Sequence, residues 1–211
     1  MTGPLVAVLD YGIGNLHSAL KALGKMGADA RLTTDPGLVA DAAGVVLPGV
    51  GAFGACMSAL RATGLESAVH DAVESGRPFF GICVGMQMLF DRSEEDPSAS
   101  GLGVIAGAVR WIPVGVKRPQ MQWNRLDWCE VDEPMFASLP GSPWVYFVHS
   151  LHGVPDDPSV TVATCEYGGT VNAAFRSGSV FATQFHPEKS GPVGLAVLGN
   201  FVGVCAAAVA G

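Results

Sequence analysis

Short apolar runs alternate with helical patterns over the first ninety residues, and this alternation constrains the fold more than any other feature. Leu5–Leu9 is a continuous apolar run that predicts a buried strand, and apolar residues then recur at helical spacing over 15–26. The pattern continues with predicted strands at 30–33, 44–47 and 78–82 and predicted helices at 64–75 and 84–90. Strands separated by helices pair in parallel, with the helices crossing over on both faces. The sequence therefore predicts an α/β fold.

Beyond residue 101 the predicted elements are mainly strands, at 104–112, 123–131, 144–150, 160–166, 171–176 and 180–185. Gly168-Gly169 separates two alternating runs, which is typical of a hairpin. A final helix is predicted to begin near Ser190. The chain has no internal repeat, low-complexity tract or linker-like segment. We therefore expect residues 1–211 to form one domain, with a mixed, mainly parallel sheet flanked by helices.

Charge and cysteine content exclude several classes of protein. The chain has 12 Lys+Arg against 19 Asp+Glu, a net charge of −7, and no basic run, so a nucleic-acid or anionic-membrane binder is not expected. The five cysteines form no CxxC pair, which argues against a disulfide framework or a four-cysteine zinc site. The N-terminal residues do not resemble a signal peptide. These features predict a soluble, cytoplasmic protein.

The apolar segment 194–211 is long enough to reach across a bilayer, so a membrane helix is the alternative interpretation there. Leu198, Phe201 and Cys205 fall at helical spacing within it, however, and no cationic anchor follows. This spacing favours a C-terminal helix that packs on a core. We therefore expect no membrane association.

Cys83 lies in the segment Gly81-Ile-Cys-Val-Gly85, between the predicted strand 78–82 and the predicted helix 84–90. This arrangement is a nucleophile elbow, a sharp strand-to-helix turn whose glycines relieve crowding around the nucleophile. The thiol would lie at a helix N-terminus, where the dipole favours the thiolate form. The Val84 amide would point outward, toward an oxyanion. The alternative is a small cysteine buried in the core.

A thiolate that performs acyl transfer needs a proton carrier, and Phe185-His-Pro-Glu188 supplies one at the end of the last predicted strand. Residues two apart in extended backbone share a face, so His186 and Glu188 would project the same way. Pro187 fits there because the strand ladder ends. His186 would take and return the proton, while Glu188 would orient the imidazole and stabilise its cation. The alternative is an ordinary surface histidine.

A glycine-containing loop, residues 48–54, follows the predicted strand 44–47 and is called the oxyanion loop below. Its glycines allow main-chain amides to approach a ligand at the edge where α/β sheets bind ligands. We expect the amide of Val50 or Gly51 to be the second oxyanion donor; an ordinary strand-to-helix turn is the alternative. The loop lacks the signature of a phosphate-binding loop, so ATP binding is not supported. His149 and His152 lack an acidic third ligand, and no metal site is predicted.

These motifs together resemble the class I (triad) glutamine amidotransferases and, within them, the glutaminase subunits of imidazole glycerol phosphate synthases. The resemblance runs essentially end to end and is carried by residues 10–16, 48–54, 81–87, 146–150 and 184–190. The Pro-Gly-Val-Gly sequence of the oxyanion loop is typical of the histidine pathway. Glutaminases for anthranilate or guanylate synthesis typically have a Gly-Pro-Gly loop.

The resemblance implies a flavodoxin-like fold that hydrolyses L-glutamine to glutamate and ammonia through Cys83, His186 and Glu188, without a metal or organic cofactor. It assigns substrate binding to Gly51, Gln87, Glu95, Ser150 and Leu151. A cyclase partner with a (β/α)8 barrel would contact Asn15, Trp123, Asn124, Tyr146 and Lys189, forming a heterodimer. That cyclase would use the ammonia to form imidazole glycerol phosphate and an aminoimidazole carboxamide ribotide. In the family the Gly49–Val50 peptide is also thought to reorient once the partner is engaged.

The chain departs from the family pattern at two places. Gln120-Met-Gln-Trp-Asn124 replaces the usual His-Met-Gly-Trp-Asn, and Leu151 stands where an aromatic residue is usual. Both departures bear on coupling to the partner more than on the chemistry. Three alternatives remain at this point: a glutaminase of another synthase, a cysteine peptidase or chaperone-like protein on a similar scaffold, and a non-catalytic regulator.

Overall fold

The computed structural model describes residues 3–128 and 132–210. Its strands are β1 Leu5–Leu9, β2 Asp29–Thr33, β3 Gly44–Gly49, β4 Phe79–Cys83, β5 Phe90–Ser93, β6 Ile105–Trp111, β7 Gln120–Arg125, β8 Asp127–Trp128, β9 Trp144–His149, β10 Leu151–Pro155, β11 Thr161–Glu166, β12 Thr170–Ser177 and β13 Val180–Thr183. Its α-helices are α1 Leu16–Lys25, α2 Pro36–Asp41, α3 Phe53–Ala62, α4 Leu65–Glu74, α5 Val84–Gln87 and α6 Gly191–Ala210. The predicted strand 123–131 lies partly outside the described residues, and its described part is not one strand, because it breaks at Leu126 into the end of β7 and the short β8, which belong to different sheets.

An eight-stranded sheet forms the centre, in the order β2-β1-β3-β4-β13-β12-β11-β8. The first five strands of that order pair in parallel, and the remaining pairs are antiparallel. The mixed, mainly parallel sheet is thus confirmed, and its parallel part has the flavodoxin-like strand order. Because β13 inserts directly beside β4, the segments after these two strands emerge at the same sheet edge. That residues 1–211 form one domain stays a prediction.

Two smaller sheets lie beside the central one. Strands β10, β6 and β5 form a three-stranded sheet, and β7 pairs with β9 in an antiparallel pair. The predicted hairpin at Gly168-Gly169 joins β11 to β12, and Tyr167 N–H donates to the Gly169 carbonyl oxygen across the turn. The β7–β9 pair carries Trp123, Asn124 and Tyr146, three of the residues that the resemblance places at a partner interface.

Helix α6 packs one apolar side on the central sheet. Phe201 of this helix contacts Phe80 of β4 with ring centroids 5.4 Å apart, and Phe80 contacts Phe181 of β13 at 5.2 Å. Leu198 and Cys205 are fully buried as well. Among the described residues, α6 is the one helix long and apolar enough to cross a membrane, a test that the core helix of a soluble protein also passes. The predicted packing on a core thus holds for one side of this helix, while about a third of the apolar window is buried (33%) and residues 206–209 are exposed.

The structure differs from the predicted elements in three further respects. The predicted helix 84–90 is only the single turn α5, because the chain reverses at Met88 and Leu89 and pairs Phe90 with Ile105 in β5 and β6. The last strand ends at Thr183 instead of 185, where the Thr183 hydroxyl donates to the Phe185 carbonyl oxygen. Helices α2 and α3 and strands β5 and β10 were not predicted.

Candidate active site

Cys83 occupies a strained turn between β4 and α5. Its φ of 55° and ψ of −114° are unusual for a residue with a side chain, and such strain is typical of functional sites. The flanking glycines permit the turn: a Cβ on Gly85 would lie 1.9 Å from the Leu47 carbonyl oxygen, and one on Gly81 would lie 3.0 Å from the Met86 Cα. The structure therefore has the geometry of the predicted elbow. Because α5 is a single turn of 4 residues, the thiol does not lie at the N-terminus of the longer helix that the sequence predicts.

His186 and Glu188 form a buried hydrogen-bonded pair. The imidazole Nδ1 lies 2.8 Å from Glu188 Oε1, and both side chains are almost completely buried. The prediction that extended backbone aligns them is wrong, because Pro187–Lys189 forms a 3₁₀ turn that begins with the proline. The turn brings the carboxylate back to the ring. The Asn15 side-chain amide also donates to Glu188 Oε1, at 3.4 Å.

The His186 ring is poised to carry a proton. Burial by itself lowers the pKa of His186, but the neighbouring Cys83 sulfur and the Glu188 carboxylate bonded to Nδ1 outweigh burial and raise the pKa well above its ordinary value of 6.5. Nε2 of the same ring is buried and has no hydrogen-bond partner within the described ranges. The ring is therefore oriented through Nδ1, which leaves Nε2 for proton exchange.

The backbone around His186 is tied to strand β9. His186 N–H donates to the Tyr146 carbonyl oxygen at 3.1 Å, and Tyr146 N–H donates to the Ser190 hydroxyl at 2.9 Å. Ser190 in turn donates to the His186 carbonyl oxygen at 2.7 Å. These three bonds form a closed circuit between the predicted proton carrier and the predicted partner-facing strand.

A cavity of about 370 Å³ brings most of the predicted site together. This volume is in the range of small-ligand sites. Its lining is Val50, Gly51, Cys83, Val84, Gln87, Glu95, Pro119, Val148, His149, Ser150, Leu151, His186 and Lys189. Glu188 does not line this cavity. It borders a small neighbouring space together with Asn15 and His186, and it contacts the His186 ring at Nδ1. Trp123, Asn124 and Tyr146 lie outside the lining.

The oxyanion loop reaches the cavity through Val50 and Gly51. Gly51 has a φ of +89°, a conformation that favours glycine. At the end of the loop, Phe53 N–H donates to Glu95 Oε2 at 2.7 Å. Glu95, which the resemblance assigns to substrate binding, therefore also anchors helix α3 and the loop before it.

The predicted substrate-binding residues are joined by buried hydrogen bonds. Gln87 Nε2 donates to the Leu151 carbonyl oxygen at 3.3 Å and to Gln184 Oε1 at 3.0 Å. His149 Nδ1 donates to the same Leu151 oxygen at 2.7 Å, so both lone pairs of that carbonyl are used. The Ser150 carbonyl oxygen accepts from Ile112 N–H. These bonds fix the 150–151 backbone at the cavity wall.

Three residues at the site were missed by reasoning from the sequence. Gln184 Nε2 lies 3.7 Å from Cys83 Sγ and donates to it. The Tyr11 hydroxyl and the Cys56 thiol donate to carbonyl oxygens of the oxyanion loop. Each of these contacts depends on the fold, and no short sequence motif indicates it. One signal was available: Phe53, Cys56 and Leu60 fall at helical spacing, which could have indicated α3.

His149 and His152 are buried structural histidines. Burial lowers the pKa of each to about 4. Asn172 N–H donates to His152 Nδ1 at 3.0 Å, which requires that nitrogen to be unprotonated. Across the described segments, no group of three or more His, Cys, Asp or Glu side chains is arranged to hold a metal ion.

One face of the β7–β9 pair is apolar and exposed. Trp123 pairs with Tyr146 across the strands, with ring centroids 6.0 Å apart, and Trp144 pairs with Arg125. Trp123 and Trp144 are 46% and 55% exposed, which is unusual for tryptophan. We call this surface, made of Met121, Trp123, Trp144, Tyr146 and Val148, the aromatic face. Asn124 lies on the opposite face of the pair, where its Nδ2 donates to the Glu166 carbonyl oxygen at 2.9 Å, and its assignment to the interface stays a prediction.

The chain belongs to the class I glutamine amidotransferase family: the family model "Glutamine amidotransferase class-I" matches residues 7–204. The names of its curated relatives point to one member of this family. A protein of Synechococcus sp. (strain JA-3-3Ab) named imidazole glycerol phosphate synthase subunit HisH is 52% identical over 200 residues, covering 93% of this chain and 92% of the relative. A protein of the same name from Syntrophotalea carbinolica is 48% identical over 204 residues, covering 93% of this chain and 98% of the relative.

Solved structures share the fold at lower identity. A structure described as PurLQS from Thermotoga maritima has a TM-score of 0.76 at 21% identity, covering 95% of this chain and 98% of that chain. A structure described as a glutamine amidotransferase has a TM-score of 0.74 at 22% identity, with the same coverage. At this identity the likeness shows the fold alone.

Proposed function

We propose that this chain is the glutaminase subunit of an imidazole glycerol phosphate synthase and hydrolyses the side-chain amide of L-glutamine in histidine biosynthesis. The observation that carries the proposal is the elbow cysteine Cys83 in one cavity with His186, whose ring is held by Glu188. Membership of the amidotransferase family and the HisH relatives support the same reaction.

In the first half-reaction, the Cys83 thiolate attacks the carboxamide carbon of glutamine. The C–S bond forms while the carbonyl electron pair moves to oxygen, and the N–H groups of Val84 and Val50 stabilise that oxyanion. His186 gives its Nε2 proton to the departing nitrogen as the C–N bond breaks. The products are ammonia and a glutamyl thioester. The raised pKa of His186 suits this step, because the ring holds its proton until the leaving group needs it.

In the second half-reaction, Nε2 of the neutral His186 takes a proton from water, which attacks the thioester carbon. The C–S bond then breaks, glutamate leaves, and the thiolate–imidazolium pair is restored. Glu188 keeps the ring oriented and stabilises its positive charge in both steps. Gln184 donates to Cys83 Sγ and so stabilises the sulfur as a thiolate and as a leaving group.

The partner is proposed to be a cyclase subunit with a (β/α)8 barrel that forms a heterodimer with this chain in the cytoplasm. The aromatic face is the surface we assign to it, since Val148 both belongs to that face and lines the cavity. Ammonia is protonated in neutral water and then no longer nucleophilic. Docking next to the cavity would allow ammonia to pass to the cyclase without entering solvent.

Ammonia release from L-glutamine, with and without the cyclase, tests the proposal. The wild-type chain with its cyclase is expected to release ammonia, and Cys83→Ala is expected to lose at least about 1,000-fold of that rate because the covalent route is gone. Cys205→Ala removes another buried thiol far from the cavity and serves as the matched control. Peptide hydrolysis without glutamine turnover, or full activity of Cys83→Ala, would contradict the proposal.

A further inference from the structure

Two buried side chains that the mechanism above does not use hold the oxyanion loop. The Tyr11 hydroxyl donates to the Pro48 carbonyl oxygen at 2.6 Å, and the Cys56 thiol donates to the Val50 carbonyl oxygen at 3.2 Å. Tyr11 is 3% exposed and Cys56 is fully buried. Removing either donor would leave a carbonyl oxygen of the loop without this hydrogen bond, and unpaired polar groups in a buried setting are unfavourable.

The two bonds lie on either side of a single peptide unit. The Pro48 carbonyl belongs to the unit before Gly49, and the Val50 carbonyl belongs to the unit after Val50. Between them lies the Gly49–Val50 unit, which carries the Val50 N–H. Over residues 3–128 and 132–210, no side chain hydrogen-bonds this middle unit. Gly49 is the last residue of β3 and lies opposite Cys83 of β4, so the unit begins at the sheet ladder and is flanked by the two side-chain bonds.

The surroundings fit this role. Burial raises the pKa of the Tyr11 phenol and of the Cys56 thiol, so both groups keep the protons that they donate. Gly49 is enclosed between Tyr11 and the elbow: a Cβ there would lie 2.9 Å from Tyr11 Oη and 2.5 Å from the Gly85 nitrogen. The Tyr11 hydroxyl therefore also limits how far the loop can move from the elbow.

We propose that Tyr11 and Cys56 are positioning residues that fix the two ends of the Gly49–Val50 peptide, so that the Val50 N–H points accurately at the developing oxyanion. This inference rests on the proposed glutaminase function. An oxyanion donor acts at about 2.7–3.1 Å from the oxygen, and a misplacement of about 1 Å can cost about 100-fold in rate. Tyr11 and Cys56 act through the loop and do not touch substrate.

Steady-state glutamine hydrolysis in the complex with the cyclase tests the proposal. For Tyr11→Phe and Cys56→Ala we expect kcat to fall about 10- to 100-fold with KM within about threefold of wild type, because the oxyanion exists only after attack. Cys56→Ser keeps a donor to the Val50 carbonyl oxygen and is expected to retain kcat within about threefold. Cys205→Ala controls for loss of a buried thiol elsewhere.

The rate at which iodoacetamide alkylates Cys83 separates a positioning role from a general structural role. Loss of structure around the site would lower this rate, whereas misplacement of the oxyanion donor alone would not. This displacement forms no oxyanion, so its rate, measured against Cys83→Ala as background, should match wild type in Tyr11→Phe and Cys56→Ala. A parallel fall of alkylation and kcat, or wild-type kcat in both variants, overturns the inference and leaves the glutaminase function intact. A wild-type complex that releases no ammonia from glutamine overturns both.

Discussion

Cys83 and Glu188 both raise the pKa of His186, and Glu188 does so through a hydrogen bond of 2.8 Å to Nδ1. In Glu188→Gln the negative charge is lost, so the pKa of His186 should fall from its raised value toward 6.5. The neutral amide also no longer selects the ring tautomer, and kcat for glutamine should fall about 100- to 10,000-fold. NMR titration of the His186 ring and ammonia release measure the two effects.

The control for this variant is Glu66→Gln, which removes an equivalent carboxylate from a partly exposed ion pair with Arg61. It should leave both the His186 titration and kcat unchanged. A Glu188→Gln variant whose His186 titrates as in wild type would show that the carboxylate does not control the ring.

Residues within contiguous motifs were predictable, whereas residues that reach the site through tertiary contacts were not. Cys83 stands between two glycines, and His186 stands two residues before Glu188, so each part of the triad has a local signature. Gln184 is adjacent to that signature, yet its contact with Cys83 depends on how β13 aligns with β4. Tyr11 reaches Pro48 because it comes just after β1, which lies beside β3 in the sheet.

At the scale of elements, the elbow depends on close packing of α5 against the end of β3. In Gly85→Ala the new Cβ would lie 1.9 Å from the Leu47 carbonyl oxygen, a backbone atom that cannot move aside cheaply. We expect a loss of about 3 kcal/mol in the free energy of unfolding. Gly203→Ala is the matched control, since that exposed α6 glycine has open space around it and should gain about 0.5–1 kcal/mol. Urea unfolding measures both, and equal effects would contradict this view of the elbow.

Elements with strong periodicity were predicted, and those that depend on tertiary pairing were not. Strands β1, β3 and β4 are apolar runs that are buried on both faces, and their positions follow from composition. Residues 88–90 continue a helical pattern locally, but pairing of β5 with β6 overrides it. Strand β10 contains a glycine and ends at a proline, so its strand character comes from pairing with β6 and not from propensity.

The aromatic face should contribute to the affinity for the cyclase. Trp144→Ala removes a large side chain that is 55% exposed, so the fold should lose little stability. If the cyclase covers it, Kd for the cyclase should rise about 10- to 100-fold, as for other interfacial tryptophans. Isothermal titration calorimetry measures this change. Val114→Ala, at an 88% exposed position outside the face, should bind like wild type, and unchanged binding of Trp144→Ala would exclude that residue from the interface.

At the scale of the whole molecule, strand order assembles the site. Cys83 ends β4 and His186 follows β13, and these strands are distant in sequence but neighbours in the sheet, with Ile82 opposite Thr183. In the sequence, β13 comes after β11 and β12, which extend the sheet on its far side as antiparallel strands. The alternation of elements predicts a parallel sheet, but it does not predict which strand lies next to β4. The motifs predicted the chemistry, and the topology accounts for how its parts meet.

The same assembly buries two histidines in neutral form, which makes the whole fold sensitive to acid. His149 and His152 have a pKa of about 4 when folded, against 6.5 for an unperturbed histidine. Between these values the unfolded chain binds more protons than the folded chain, so stability is lost as pH falls from about 6.5 to 4. Each histidine should lower the free energy of unfolding by about 2 kcal/mol between pH 7 and pH 5. Urea unfolding at the two pH values measures the loss. His152→Gln, whose amide oxygen can still accept from Asn172 N–H, should lose about half of this pH dependence. The control His17→Gln, at an exposed position, should keep all of it. The same pH dependence of stability in wild type and in both variants would refute the assignment.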